Sequence, residues 1–249
     1  MNELSVIIIT RNRLKKLMRC LDSIDKCIPG SEIIVVDNGS TDGTGDFLKD
    51  NHSLVTIRLL ANRGVTVSRN MAIRSSSRKF VMFIDDDAWL EKFDFSRIRD
   101  LFSKNMTVGI IAPKLLYPNG DLQESIRSFP TVLSLLWRGT ALSRFFPNAR
   151  WYKSYIKNDS NKIHEVDWSI FACQIVRREL FDIAGLLDER YFYGYEDAEF
   201  CRRAKTKGYQ TYFWPDAIIY HDYTRSSARG TNIATLHHLA SIGRFFVNR

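Results

Sequence analysis

The chain has 249 residues, of which 45% are hydrophobic, enough for a sizeable core in one large domain or two small ones; its charged residues (26%) are not accompanied by any Ser-, Gln- or Pro-rich tract of the kind that stays disordered. A formal charge of +8 and a pI near 9.3 point to an anionic partner: a nucleotide, a phospholipid surface or a nucleic acid. No run approaches the roughly 18 apolar residues of a membrane span, and MNELSVIIIT has no basic segment before its short apolar run, so neither a transmembrane helix nor a signal peptide is expected, and a cytoplasmic location follows.

In chain order, short apolar runs alternate with helical patterns. The spacing predicts strands at 5–10, 32–36, 54–60 and 79–84, and helices at 14–24, 42–51 and 65–75. Such alternation implies βαβ units and a mostly parallel sheet with helices on both faces. The second half is less regular. It suggests a strand at 108–116, a loop-rich stretch to about 161, a strand near 166–176, a helix from about Arg178, and a helix opening at Glu196. Strands near 211–213 and ending at His221 follow, then a helical pattern from Ile233 to Arg249. With no Pro/Gly-rich linker and no repeat, one domain is expected over 1–249: a nucleotide-binding half at about 1–116, a less regular half at about 117–230, and a C-terminal helix at 231–249. The four cysteines show neither CxxC spacing nor a paired framework and read as reduced thiols rather than zinc ligands.

Ligands of open α/β sheets bind beyond the carboxyl ends of the strands. Thr10-Arg-Asn-Arg13 follows the first strand, Asp37-Asn-Gly-Ser40 the second and Asp85-Asp-Asp87 the fourth. Asp37 can accept hydrogen bonds from a pyrimidine base; alternatively Ser40 or Thr41 with Asp42 simply caps the next helix, or Asn38-Gly39 marks a hairpin. Asp85 and Asp87 stand at alternate positions and can share a divalent cation with a diphosphate, although three adjacent carboxylates also fit a bare surface turn. Glu196-Asp197 opens a helix after the aromatic run Tyr191–Tyr195. Acidic residues there serve the helix dipole, or, desolvated by the aromatics, one serves as a general base. His221 ends a strand before Arg225-Ser-Ser227, where it is either structural or a ligand for metal or diphosphate.

Taken together, Ser5–Arg13, Ile34–Thr44, Ala61-Asn-Arg-Gly64, Ser68-Arg-Asn70, Phe83–Asp87, Val166–Ser169, Arg177–Phe181, Leu187–Glu189, Gly194–Asp197 and Tyr220–Ser227 resemble, in order and spacing, family 2 glycosyltransferases of GT-A fold. They resemble in particular the bacterial rhamnosyltransferase-type branch that builds cell-surface polysaccharide. The resemblance spans about residues 4–230 and implies inverting transfer from a nucleoside-diphosphate sugar (dTDP or UDP) to a hydroxyl of a glycan or lipid-linked acceptor, with about 1–116 as the nucleotide-sugar-binding half and about 117–230 as the acceptor-side half. L-Rhamnose from dTDP-rhamnose is the expected donor group, with a UDP-hexose or galactofuranose as the alternative. It implies that Thr10, Arg13, Asp37, Asn38, Asn62, Arg69, Asp85, Asp86, Trp168 and Arg225 line the donor and sugar sites. Asp85, Asp87 and His221 would hold Mn²⁺ or Mg²⁺, and Asp197, beside Glu196, would be the general base. Two positions depart from the family pattern: Phe171-Ala-Cys173 stands where a Gly is usual, and Glu199 where an Asp is common.

Other classes fit less well. No GxGxxG fingerprint of a dinucleotide oxidoreductase is present, no Gly-rich basic loop of a nucleotidyltransferase follows the first strand, and no nucleic-acid-binding module is recognisable. A degenerate, non-catalytic binding subunit would lack the carboxylates that this chain retains. Basic and aromatic residues interleave between Phe129 and Lys157, a pattern suited to peripheral contact with the inner face of the membrane. The apolar spacing of 233–249 suits core packing or the same contact.

Overall fold

The computed structural model describes residues 3–131, 161–223 and 233–247. In chain order the first half comprises β1 (Leu4–Thr10), α1 (Leu14–Cys27), β2 (Glu32–Asp37), α2 (Thr44–Asp50), β3 (Val55–Arg58), α3 (Val65–Ser75), β4 (Phe80–Asp85), β5 (Ala88–Lys92), α4 (Phe95–Lys104) and β6 (Val108–Leu116). There follow β7 (Ile126–Arg127), β8 (His164–Val166), β9 (Trp168–Ser169), β10 (Cys173–Arg177), α5 (Leu180–Ile183), α6 (Glu196–Thr206), β11 (Gln210–His221) and α7 (Ile233–Val247).

Among the described residues, nine strands form one sheet in the order β3-β2-β1-β4-β10-β6-β11-β5, with β8 against β11. The strands from β3 to β4 are parallel, as their helical crossovers require. β10 lies antiparallel between β4 and β6, while β11 runs parallel to β6. A small ribbon of β7 and β9 lies apart from this sheet.

The strand period distributes the core to two faces. Leu4, Val6 and Ile8 of β1 with Phe80, Met82 and Ile84 of β4 meet Leu17, Cys20, Leu21 and Ile24 of α1 and Ile98 and Phe102 of α4. On the other face Ile7, Val81 and Phe83 meet Ala72 and Ile73 of α3, Ala198, Phe200 and Ala204 of α6, and Phe245 of α7. α1 forms because its apolar residues recur at i, i+3, i+4 and i+7, which places them on one side of the helix.

Several expectations change. The second helix begins at Thr44 behind Gly43, and its first amide is met by Asp42 Oδ1 (3.1 Å), so neither Ser40 nor Thr41 caps it; Ser40 Oγ instead accepts the Asn12 amide at 2.9 Å. The strand expected at 166–176 is three short pieces, β8, β9 and β10. The two strands expected near 211–221 are one, β11, whose register against β6 shifts between Trp214 and Ile218, around Pro215, a residue that cannot donate to a ladder. β5 and α4 were not anticipated: the apolar run of β5 is only three residues, Ala88-Trp-Leu90, directly behind the acidic turn, while α4 carries a capping signal, Asp94 accepting from Ser96 N at 3.0 Å. The four cysteines are free, three of them buried. Among the described residues no helix is long and apolar enough to cross a membrane.

Candidate active site

Strand register brings the predicted motifs together. Thr10 pairs with Asp37 across β1 and β2, and Ile9 with Asp85 across β1 and β4, so three strand ends reach one level at the carboxyl edge of the sheet. Backbone bonds lock the loops there: Asn38 N donates to Thr10 O (2.9 Å), Asp85 N to Ala172 O (3.1 Å) and Asp222 N to Asp87 O (3.0 Å).

Asp85, Asp87 and His221 each offer a ligand atom, all within 4.8 Å of one another. His221 Nε2 lies 3.2 Å from Asp87 Oδ1 and 3.8 Å from Asp85 Oδ2. Asp87 and His221 are each 4% exposed at the side chain, whereas Asp85 keeps 38%, so the cluster opens to solvent on the Asp85 side. His221 Nδ1 is 2.7 Å from Gln123 Oε1. An amide oxygen can only accept, so Nδ1 donates to Gln123, and Nε2 is the ring nitrogen turned toward the two carboxylates. Two carboxylate oxygens and one imidazole nitrogen with an open side fit a divalent ion such as Mn²⁺ or Mg²⁺.

Asp86, between the two, turns inward. It accepts from Thr10 Oγ1 (2.8 Å) and Arg13 Nη1 (3.1 Å), and Arg13 Nη1 also reaches Asp87 Oδ2 at 2.9 Å. Thr10 and Arg13, expected against the base and ribose, here tie the end of β1 to the acidic turn. Burial pushes the Asp86 carboxyl up to about 6 against the pull of Arg13 and Thr10. It also works to raise Asp87, but the His221 hydrogen bond and the positive charges of Arg13 and Lys16 win and hold that carboxyl below its usual range. Desolvation raises Asp85, partly offset by Arg69.

At the β2 end, Asp37 is fully buried. Its Oδ1 accepts the Ser40 amide (2.8 Å), while its Oδ2 has no hydrogen-bond partner, the nearest cation being Arg58 Nε at 3.7 Å. Asn38 holds Asn62 by Nδ2 to Oδ1 (2.9 Å) and the Arg63 amide by its Oδ1 (2.8 Å), which lays the 61–64 loop beside the 37–40 loop. Gly39 has φ 82°, and a Cβ there would stand 2.9 Å from the Ala61 backbone, so only glycine lets the loops approach this closely.

Arg69 on α3 joins this region to the start of α6. Its Nη1 is 2.7 Å from Glu196 Oε1 and its Nη2 is 3.4 Å from Asp85 Oδ1. Asp197 is 9% exposed, and its carboxyl is pushed up to about 7 by desolvation and by the neighbouring Glu196 charge, against the Ala198 amide and the positive charges of Arg69 and Arg127. The second oxygen of Glu196 is buried without a partner. Tyr195, just before the pair, has φ 69°, a left-handed backbone that a non-glycine residue adopts only when its surroundings impose it. Its ring is held between Trp168 (6.4 Å) and Phe245 (5.7 Å).

Trp168 is buried, donates Nε1 to Ser128 O at 2.8 Å and lies beneath the Arg127 guanidinium at 5.3 Å. Gln123 and Arg127 escaped sequence reasoning because nothing in the sequence around them marks them, whereas Tyr195 closes the aromatic run already expected to desolvate the acidic pair. Arg225 and the interleaved stretch beyond residue 131 lie outside the described residues.

The fold is that of the GT-A glycosyltransferases: it is shared with the crystal structure of GalNAc-T7 with UDP, GalNAc and Mn²⁺, at a TM-score of 0.71 and 17% identity over 98% of this chain. The chain belongs to glycosyl transferase family 2, whose model matches residues 5–183. It is 26% identical over 215 residues to N-acetylglucosaminyl-diphospho-decaprenol L-rhamnosyltransferase of Mycobacterium tuberculosis, covering 79% of this chain and 68% of that one. It is 25% identical over 245 residues to dTDP-rhamnosyl transferase RfbF of Shigella flexneri, covering 93% of this chain and 73% of that one. The chain spans 47% of the GalNAc-T7 chain.

Proposed function

We propose that this chain is a divalent-metal-dependent, inverting glycosyltransferase that moves a sugar from a nucleoside diphosphate to an acceptor hydroxyl. The observation that carries the reading is the continuous line from the Asp85–Asp87–His221 cluster through Arg69 to Glu196 and Asp197, which sets a cation site beside a carboxyl of raised proton affinity. Asp37 Oδ2 and Glu196 Oε2, two buried acceptors without hydrogen-bond partners, support it: each is left for a donor group of a ligand, a base N–H at the first and a sugar hydroxyl at the second.

In this reading Asp85, Asp87 and His221 hold the metal, which when bound neutralises charge building on the departing diphosphate. Asp37 with the Asn38–Asn62 loops seats the base and ribose, and Arg69 orients Asp85 and Glu196. Asp197 takes the proton of the acceptor hydroxyl while that oxygen forms a bond to the anomeric carbon. The bond from that carbon to the diphosphate oxygen breaks on the opposite face, so the configuration inverts. One displacement suffices and no covalent enzyme intermediate is needed. L-Rhamnose carried by dTDP is the proposed donor group, supported by the names of the two rhamnosyltransferase relatives, and a glycan or lipid-linked acceptor of cell-surface polysaccharide synthesis is the proposed substrate.

The test is the thermal midpoint with dTDP, UDP and GDP and their sugars, with and without Mn²⁺ or Mg²⁺, since a ligand that binds only the folded state raises it. A metal-dependent rise with dTDP-rhamnose above UDP-hexoses is expected. A rise with none of them would overturn the donor site.

A further inference from the structure

α7 buries one side and exposes another that is wholly apolar. Ser241 and Phe245 are buried against the sheet-covering core, while Leu236, Leu239 and Val247 are 66%, 58% and 82% exposed, and Ala240 and Gly243 are exposed with them. At about 100° per residue these five positions fall within an arc of about 100°, a continuous stripe along the helix rather than scattered surface leucines. Arg244 lies along one border of the stripe. The stretch from Tyr223 to Arg249 contains four arginines and no acidic residue.

We propose that this stripe docks on the surface of an anionic lipid bilayer. An apolar arc within a stretch of four arginines and no acidic residue meets both demands of such an interface, acyl chains for the leucines and headgroup phosphates for the basic stretch. A second copy of the chain meets only the first, because it carries the same charge of +8 and the same stretch of arginines without an acidic residue.

The inner side of α7 grips the loop that leads into the acidic pair. Ser241 Oγ donates to Tyr193 O (3.1 Å), His237 stacks on Phe192 (4.2 Å), Arg244 donates to Arg190 O, and Phe245 packs on Tyr195 at 5.7 Å. Two residues beyond Tyr195 stands Asp197. Docking by α7 therefore holds the Asp197 end of the site close to the membrane, where a lipid-linked hydroxyl is presented; this consequence, unlike the docking itself, rests on the transferase reading above.

The experiment is flotation of the full chain with vesicles of phosphatidylcholine alone or mixed with phosphatidylglycerol, for the wild type and Leu236→Glu/Leu239→Glu. Both leucines are exposed, and retention of the wild-type thermal midpoint and of its nucleotide-induced shift checks that the variant is folded. The wild type is expected to float with the anionic vesicles and not with the neutral ones, and the variant to bind them roughly tenfold or more weakly. Absence of wild-type flotation, equal flotation with neutral vesicles, or flotation unchanged in the variant would overturn the proposal. So would a wild-type dimer that the substitutions dissociate, with no vesicle binding, which would make a second copy the occupant. Nucleotide shifts are read separately, so failure of docking and failure of the donor site are distinguishable.

Discussion

Arg69 and Glu196, 127 residues apart in sequence, form an ion pair at 2.7 Å in which the side chains are only 7% and 6% exposed. Arg69 also packs its guanidinium over the Phe171 ring at 4.8 Å, so its position is set by α3, by the loop before β10 and by α6 at once. Removing one partner of such a pair leaves the other charge buried and uncompensated. Glu196→Leu should therefore lower stability by about 3–5 kcal/mol, and Arg69→Met/Glu196→Leu should recover most of that loss. Urea unfolding of the two single variants and the double one checks this; additive losses would mean that the pair is not energetically coupled.

Asp197→Asn should reduce kcat by roughly 10²–10⁴-fold with donor binding nearly unchanged, the signature of a lost general base. Full activity in this variant would remove Asp197 from the role.

The raised carboxyl of Asp197 also sets two pH dependences. A base must be ionised, so the rate should rise with pH and level off above about 7. Stability should run the other way: the folded state holds this proton more tightly than the unfolded chain, so the contribution of Asp197 is most favourable below the ordinary carboxyl value near 4 and is lost as pH rises through about 7. Asp197→Asn should flatten that slope, which chemical denaturation at pH 5 and pH 8, values chosen at about one or two units from the transition, would reveal.

Gln123→Leu should weaken Mn²⁺ affinity by roughly 10–100-fold without removing a ligand, because its oxygen fixes the tautomer and the ring plane of His221. Titration calorimetry with Mn²⁺ in the presence of nucleotide measures it. His221→Ala should lose more, and Gln123→Glu, which keeps an acceptor, less than Gln123→Leu.

Gly39→Ala should cost about 1–3 kcal/mol, since it adds a side chain at φ 82° and presses it on the Ala61 backbone. The same change should weaken nucleotide binding by parting the 37–40 and 61–64 loops, seen as a smaller thermal shift with the nucleotide.

Much of the nucleotide-side half was legible. α3 and β6 have the expected ends, and Thr10, Asp37 and Asp85 sit at strand termini because βαβ units are built from local periodicity. The expected convergence of those termini follows from parallel pairing, which aligns the carboxyl ends of neighbouring strands. The α2 cap was misjudged because Ser40 and Thr41 are good capping residues in isolation, yet the 37–42 loop spends them on Asn12: Thr41 N donates to Asn12 Oδ1 at 2.7 Å. Beyond residue 116, β7, β8 and β9 have only two or three residues each, β10 is inserted antiparallel and the long β11 shifts register around Pro215, so periodicity had little to register.

The sequence by itself determined the α/β class, the family resemblance and the residue types gathered at the strand ends, because each depends on spacings of a few residues. Only the tertiary structure decided that Arg69 bridges Asp85 and Glu196, that Gln123 supports His221 across 98 residues, that Arg13 and Thr10 hold Asp86, and that α7 turns its leucines outward. Those are pairings between distant segments. They are chosen by strand order and by which helix face finds a core to cover, and no local pattern encodes either.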